Sequence, residues 1–141
     1  MPLSALLLSL VASCGDDAEE QTQPSCIELP TTACNPDYTP TFDRIFTETL
    51  QRNCAQTNSC HSSQGRQGGL SFTDATESYA LLLGQADGKA RVIPNDAACS
   101  ELVVRTHSVG KAWQMPPGTP LREGERCAIR QWIQNGANPA P

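Results

Sequence analysis

Residues 53–61 read Asn-Cys-Ala-Gln-Thr-Asn-Ser-Cys-His and place a histidine directly after the second of two cysteines. Five residues separate Cys54 from Cys60, and His61 follows at once. Thiols form covalent bonds and bind metals as thiolates, while a neutral imidazole is the commonest metal ligand in proteins. These three side chains are therefore the candidate chemical centre of the chain, unless Cys54 and Cys60 are simply joined as a disulfide.

A methionine stands in a proline-rich loop near the other end of the chain. Residues 114–118 read Gln-Met-Pro-Pro-Gly. The thioether of Met115 is a soft ligand, although the more common role of methionine is to fill space in a core. The only two histidines, His61 and His107, are far apart in the sequence, and there is no pair of Cys-x-x-Cys knuckles. A structural zinc site is therefore not indicated, and no Gly-x-Ser-x-Gly nucleophile elbow is present.

Hydrophobic periodicity predicts four helices and no strand, so the fold class is mostly α. The clearest helix lies ahead of the cysteines, where apolar positions recur at i, i+3, i+4, i+7 and i+8 behind Thr39-Pro40-Thr41, a Thr N-cap with Pro at or near the first turn. A short helix follows Asp74, a third follows Pro94-Asn95-Asp96 with Asn95 or Asp96 as its cap, and the last runs from about 123 to 135. The connections at 61–73, 85–95 and 106–122 are long and irregular.

Length and charge exclude two classes of protein. The chain has 141 residues, which suggests one domain and rules out a large two-domain enzyme. All ten basic residues follow residue 40, whereas six of the fifteen acidic residues precede it. From Thr41 onward the net charge is +1. Because no basic stripe is present, we expect no nucleic-acid partner.

The N-terminus reads as an export signal. Residues 3–12 are an apolar run, shorter than the roughly 20 residues that a spanning helix needs. Val11-Ala12-Ser13-Cys14 resembles the bacterial lipobox, which implies a signal peptide over 1–13 and a lipid anchor on Cys14. Gly15 after that cysteine favours, by the same resemblance, the outer membrane. We therefore expect a lipid-anchored protein of the cell envelope, on the periplasmic or surface face.

The segment between this signal and the domain looks like a tether. Residues 14–40 are acidic and rich in Pro and Thr, with few large apolar side chains, so they bury too little surface to offset the entropy of ordering. Cys26 and Cys34 lie within the tether, either joined in a local disulfide or each reaching back to the domain. We expect the domain itself over 41–137, with a C-terminal tail over 138–141.

The order of these motifs resembles a c-type cytochrome domain of the kind found in exported proteins of myxobacteria and planctomycetes. The resemblance covers about 41–137 and is carried by the segments 54–61, 68–70, 79–82, 92–96, 115–118 and 129–137. It implies a cytochrome c-like fold of about four short helices with long irregular loops, here stapled by disulfides.

The same resemblance implies one covalently bound haem c. His61 would be the proximal ligand, Met115 the distal ligand and Cys60 a thioether. The family motif has two residues between its cysteines, and Thr57 stands where the first would fall. Either the longer loop presents Cys54 to the second vinyl group, or Cys60 attaches alone.

With both axial positions filled, the iron has no open site for substrate, so an electron carrier with an unidentified redox partner protein is expected rather than an enzyme. A competing hypothesis is a haem-free, disulfide-stapled surface lipoprotein with the same fold and a structural or binding role. In that case Cys54 and Cys60 form a disulfide and Met115 only packs. A haem enzyme such as a peroxidase requires Met115 to be off the iron.

The other cysteines, His107 and the two tryptophans have structural roles open to them as well as functional ones. Without Cys14 six cysteines remain, which fits three disulfides, or two thioethers and two disulfides. In either scheme we pair Cys26 with Cys34 and Cys99 with Cys127.

His107 is a surface residue, a haem propionate partner or a reserve axial ligand. Trp113 borders the haem or fills the core, and Trp132 packs on the first helix, against Phe42 and Phe46.

Overall fold

The computed structural model describes residues 22–139, and within that range it contains four helical segments and no strand. Helix α1 is a continuous run made of an α-helical turn at Phe42–Ile45, a π-helical stretch at Phe46–Leu50 and a second α-helical turn at Gln51–Cys54. Helix α2 spans Ala75–Leu82, α3 spans Glu101–His107 and α4 spans Glu123–Gln134. A short 3-10 turn occupies Gln67–Gly69. The mostly α class predicted from periodicity is confirmed.

The first helix begins and packs as its pattern predicts. The Thr41 hydroxyl accepts a hydrogen bond from the Arg44 amide, so Thr41 is the N-cap and Pro40 precedes it. All the residues at the predicted i, i+3, i+4, i+7 and i+8 positions are buried: Phe42, Ile45, Phe46, Thr49 and Leu50. Since α1 ends at Cys54, its packing fixes where the candidate chemical centre begins.

The terminal helices meet through aromatic rings. The ring of Trp132 on α4 lies 5.4 Å from that of Phe42 on α1, and Tyr79 on α2 lies 5.1 Å from Phe42. Phe46 joins the same core, with its ring 6.2 Å from that of Phe42. The predicted packing of Trp132 on the first helix is confirmed. This aromatic cluster joins three helices around one core.

The start of the third helix differs from the prediction. Neither Asn95 nor Asp96 is its cap, because α3 begins at Glu101 after Ser100. The Asp96 carboxylate instead accepts from the Cys99 amide at 3.1 Å, and the Ser100 hydroxyl donates to the Asp96 carbonyl at 2.7 Å. These hydrogen bonds pair backbone groups of this segment in a turn. The segment therefore does not need to be helical for those groups to be paired. By contrast, Asp74 caps α2 as predicted, at 2.8 Å from the Glu77 amide.

The described part of the predicted tether is packed on the domain. We call residues 26–38 the N-terminal strap. Its Ile27 amide donates to the Ala98 carbonyl at 3.0 Å, and Ile27, Leu29 and Tyr38 pack against the core. On α4, Arg130 donates to two strap carbonyls, those of Pro30 and Thr32. Residues 26–38, which we assigned to the tether, therefore contact the domain through apolar side chains and two disulfides.

The disulfide pairing that we preferred is wrong, and the alternative in which each strap cysteine reaches back to the domain is right. Cys26 is joined to Cys99, and Cys34 is joined to Cys127. The strap lies across the turn before α3 at one end and along α4 at the other, so its two cysteines meet different partners. The four cysteines named for disulfides are thus the correct set in a different connectivity.

Several predictions fall on residues outside the described range. They concern the signal peptide at 1–13, the lipidated Cys14, the acidic residues up to position 20 and the end of the 138–141 tail. Between residues 22 and 139, none of the helices is long and apolar enough to cross a membrane.

Candidate functional site

One half-open cavity brings the candidate residues together. It encloses about 420 Å³ and lies between the loop after α1, helix α3 and the Met115 loop. Cys54, Cys60, His61 and Met115 all line it. Most of its remaining wall is apolar, supplied by Leu70, Phe72, Leu82, Leu102, Pro116 and Pro117. The sequence motifs at 54–61 and 114–118, which are far apart in the chain, therefore form one site.

The residues around His61 close the loop that separates the two cysteines. The His61 amide donates to the Cys54 carbonyl at 3.1 Å, and the His61 carbonyl accepts from the Phe72 amide at 2.8 Å. The Phe72 ring lies 5.3 Å from the imidazole. Within this loop the Cys60 amide donates to the Thr57 carbonyl at 3.3 Å. As a result, Cys54 and His61 are neighbours in space despite the five residues between the cysteines.

The imidazole of His61 is in the state that binds metals. Burial lowers its pKa below the ordinary value, an effect that backbone groups of Gln67 and Leu70 partly oppose and that Arg105 reinforces. The ring is therefore neutral at pH 7. Its Nδ1 atom is buried and has no hydrogen-bond partner among the described residues.

The two free thiols differ in their surroundings. Cys54 and Cys60 are the only described cysteines outside a disulfide. Burial, with a smaller contribution from the Glu125 carboxylate and from Cys60, raises the pKa of the Cys54 thiol to about 12. The Cys60 sulfur accepts a hydrogen bond from the exposed Thr57 hydroxyl at 3.1 Å. Both thiols face the same cavity, and they are not joined to each other.

A buried glutamine shapes the loop that presents Met115. The Gln114 side chain accepts from the Gly110 amide at 2.7 Å and donates to the carbonyls of Pro116 at 2.9 Å and Gly118 at 3.1 Å. The Met115 amide donates to the Arg105 carbonyl at 3.0 Å, which ties the loop to α3. We assigned no role to Gln114 from the sequence, although its place directly before the methionine was visible.

Charged residues at the cavity were also missed. Arg91 lines the wall and is almost fully buried, and its guanidinium donates to the Leu81 carbonyl, the Gly68 carbonyl and the Asp87 carboxylate. An arginine inside the apolar stretch 90–93 was the sequence signal for it. Arg105 also lines the cavity, and its Nε donates to the Glu101 carboxylate at 2.8 Å.

His107 and Trp113, for which the sequence left a functional role open, do not line the cavity. His107 ends α3, and burial, reinforced by the charge of Arg126, lowers its pKa to about 4. Its Nδ1 lies 3.3 Å from the Thr106 hydroxyl. Trp113 is half-buried, and its Nε1 has no partner among the described residues. Neither ring is among the cavity residues, so neither supports the functional alternatives considered for it.

Within residues 22–139 no group of three or more His, Cys, Asp or Glu side chains is arranged to hold a metal ion. Among the candidate residues of the cavity, His61 and Met115 offer an imidazole nitrogen and a thioether sulfur as donors.

Comparison with known proteins agrees with this geometry. Residues 58–118 match the family model described as Planctomycete cytochrome C, which is somewhat less than half of the chain. The matched range contains Cys60, His61 and Met115 and begins after Cys54. Searches of curated proteins and of solved structures returned no match. The residues that build most of the cavity are thus similar to a cytochrome c-like domain.

Proposed function

We propose that the cavity binds one haem, which His61 and Met115 would hold through the iron and Cys60 and Cys54 through thioether bonds. The observation that carries this proposal is that all four side chains line a single cavity although they come from two distant segments. Bound there, a haem supplies one-electron redox chemistry, which no amino-acid side chain in the cavity offers.

The chemistry of the wall fits a haem. Its rings and aliphatic side chains match a flat apolar macrocycle, and the protein needs to supply only two donors to the iron because the porphyrin supplies four nitrogens. The neutral imidazole of His61 and the thioether of Met115 are such a pair. The thiols of Cys54 and Cys60 are free to form thioethers, whereas every other described cysteine is in a disulfide.

We infer that the protein carries single electrons and is not a catalyst. With His61 and Met115 both bound to it, the iron would have no open position for substrate. Gln114 braces the loop that presents Met115. A soft thioether raises the reduction potential. The redox partner is proposed to be another protein, not nucleic acid, since the domain carries no basic excess beyond +1.

We further propose that the protein is anchored in the cell envelope through a lipid on Cys14, most simply at the outer membrane. The lipobox-like residues 11–14 support this. The two disulfides support an oxidising compartment such as the periplasm, because structural disulfides persist there and are rare in the cytosol.

The proposal is tested by absorption spectroscopy of residues 15–141, exported behind a cleavable signal in a host that matures c-type cytochromes. We expect a red protein with a low-spin haem spectrum. His61→Ala and Met115→Ala should each change the spectrum to that of a five-coordinate or otherwise altered haem. His107→Ala is the matched control, because His107 lies outside the cavity, and it should leave the spectrum unchanged. A colourless wild-type protein contradicts the proposal.

The competing function is a haem-free surface lipoprotein with a structural or binding role. The five-residue gap between the cysteines favours it, since the family motif has two. It predicts a colourless protein in which Cys54 and Cys60 are oxidised to a third disulfide. The same preparation therefore discriminates the two functions.

A further inference from the structure

A second cavity lies behind the Met115 loop. It encloses about 550 Å³, is open to solvent and is lined by charged residues and prolines. Asn53, Pro116 and Pro117 line both this outer cavity and the haem cavity. Asn53 also directly precedes Cys54. The two cavities are therefore neighbours that share these three residues.

A buried carboxylate stands at this boundary. Glu125, on the first turn of α4, is 4% exposed and lines the outer cavity. Its Oε1 accepts from the Asn53 amide at 3.2 Å and from the Thr49 hydroxyl at 3.5 Å. Its Oε2 accepts from the Arg122 amide at 2.9 Å. The carboxylate is thus held in place as the acceptor of three hydrogen bonds.

The negative charge of Glu125 is only partly neutralised. The Arg122 guanidinium lies 3.3 Å away, but its side chain is 69% exposed and is shared with Asp37 at 3.0 Å. Solvent screens an exposed charge far more than a buried one. On the inner side, Glu125 contacts Asn53, which lines the haem cavity and directly precedes Cys54.

From this geometry we propose that Glu125, held against the cavity wall by Asn53, sets the reduction potential of the haem by stabilising its ferric state. Ferric haem carries one more positive charge than ferrous haem, so a fixed negative charge near the iron favours the oxidised form and lowers the potential. Glu125 acts through the wall and its field and does not touch the haem. The inference rests on the proposed haem-binding function.

The test is the reduction potential of the haem-loaded chain in four variants. Glu125→Gln removes the charge but keeps the shape, and it should favour the reduced form by about three- to tenfold, up to about 59 mV for one electron. Glu125→Asp keeps the charge and should restore most of the wild-type potential. Glu123→Gln is the matched control, because Glu123 is an exposed acid two residues away on the same helix, and it should leave the potential unchanged.

Arg122→Gln gives a prediction of opposite sign. Its side chain is exposed, so folding should be preserved, and loss of its positive charge should lower the potential. This variant keeps the inference testable if Glu125→Gln weakens the start of α4 too far to fold.

Three outcomes would overturn the inference in distinguishable ways. A loaded protein whose potential is the same in wild type and Glu125→Gln overturns this inference and leaves haem binding intact. An equal shift in Glu125→Gln and Glu125→Asp assigns Glu125 a structural role instead. A chain that acquires no haem in a competent host overturns the proposed function, and this inference with it.

Discussion

The backbone amide of His61 donates a hydrogen bond to the carbonyl oxygen of Cys54 across 3.1 Å. This bond joins the C-terminal end of α1 to the residue that follows Cys60, so residues 55–60 form a closed loop. The longer spacing therefore does not remove Cys54 from the cavity.

We predict that both cysteines attach the haem. Cys54→Ala and Cys60→Ala should each leave one thioether, and the double variant should release the haem to acidified acetone while the single variants retain it. Ser59→Ala is the control, since Ser59 lines the cavity but has no thiol. Retention of haem by the double variant, or its loss from Cys60→Ala alone, would show that the attachment is different.

The disulfides should contribute strongly to stability. The Cys26–Cys99 bond spans 73 residues and the Cys34–Cys127 bond spans 93 residues. Closing loops of this length removes entropy from the unfolded chain, so replacing both partners of one bond with Ser should lower the free energy of unfolding by about 4 kcal/mol. Urea denaturation measures this effect.

Peptide mapping of the non-reduced protein checks the connectivity independently. It should recover Cys26 joined to Cys99 and Cys34 joined to Cys127. Recovery of a Cys26–Cys34 peptide would refute the packing of the strap on α3 and α4.

Gln114 should matter as much as the methionine that follows it. Gln114→Leu leaves the Gly110 amide and the carbonyls of Pro116 and Gly118 without their partner, and we expect a loss of about 2 kcal/mol in unfolding free energy. In the haem-loaded protein the spectral feature of methionine ligation should weaken too. Gln64→Leu, at an exposed position, is the control and should change neither quantity. Intact methionine ligation in Gln114→Leu would contradict the bracing role.

Stability should fall at acidic pH because of His107. Burial lowers its pKa to about 4 in the folded chain, whereas an unfolded histidine titrates near about 6.5. Between these values the unfolded state binds more protons, so the free energy of unfolding decreases as pH falls through this window, by at most about 3 kcal/mol. His107→Gln should flatten the dependence measured by urea denaturation between those limits. An unchanged slope in the variant would assign the acid sensitivity to other groups.

The sequence was sufficient to predict the four helices, apart from the start of α3, because helices depend on local patterns. The spacing from Phe42 to Leu50 fixes the buried face of α1, and the Cys60-His61 pair is adjacent in the chain. The disulfide pairing was not predictable, since it depends on how the strap lies across α3 and α4. Arg91 and Glu125 were missed because their importance comes from long-range contacts: Arg91 reaches Gly68, and Glu125 reaches Asn53 on a different helix.

The most direct test of the central claim is the intact mass of purified residues 15–141, made in a host that matures c-type cytochromes and analysed under denaturing conditions. We expect the polypeptide mass plus one haem, minus the four hydrogens of two disulfides, with the haem carried on the peptide that contains Cys54 and Cys60. A mass equal to the polypeptide minus six hydrogens would mean three disulfides and no haem, and it would contradict the proposed haem binding.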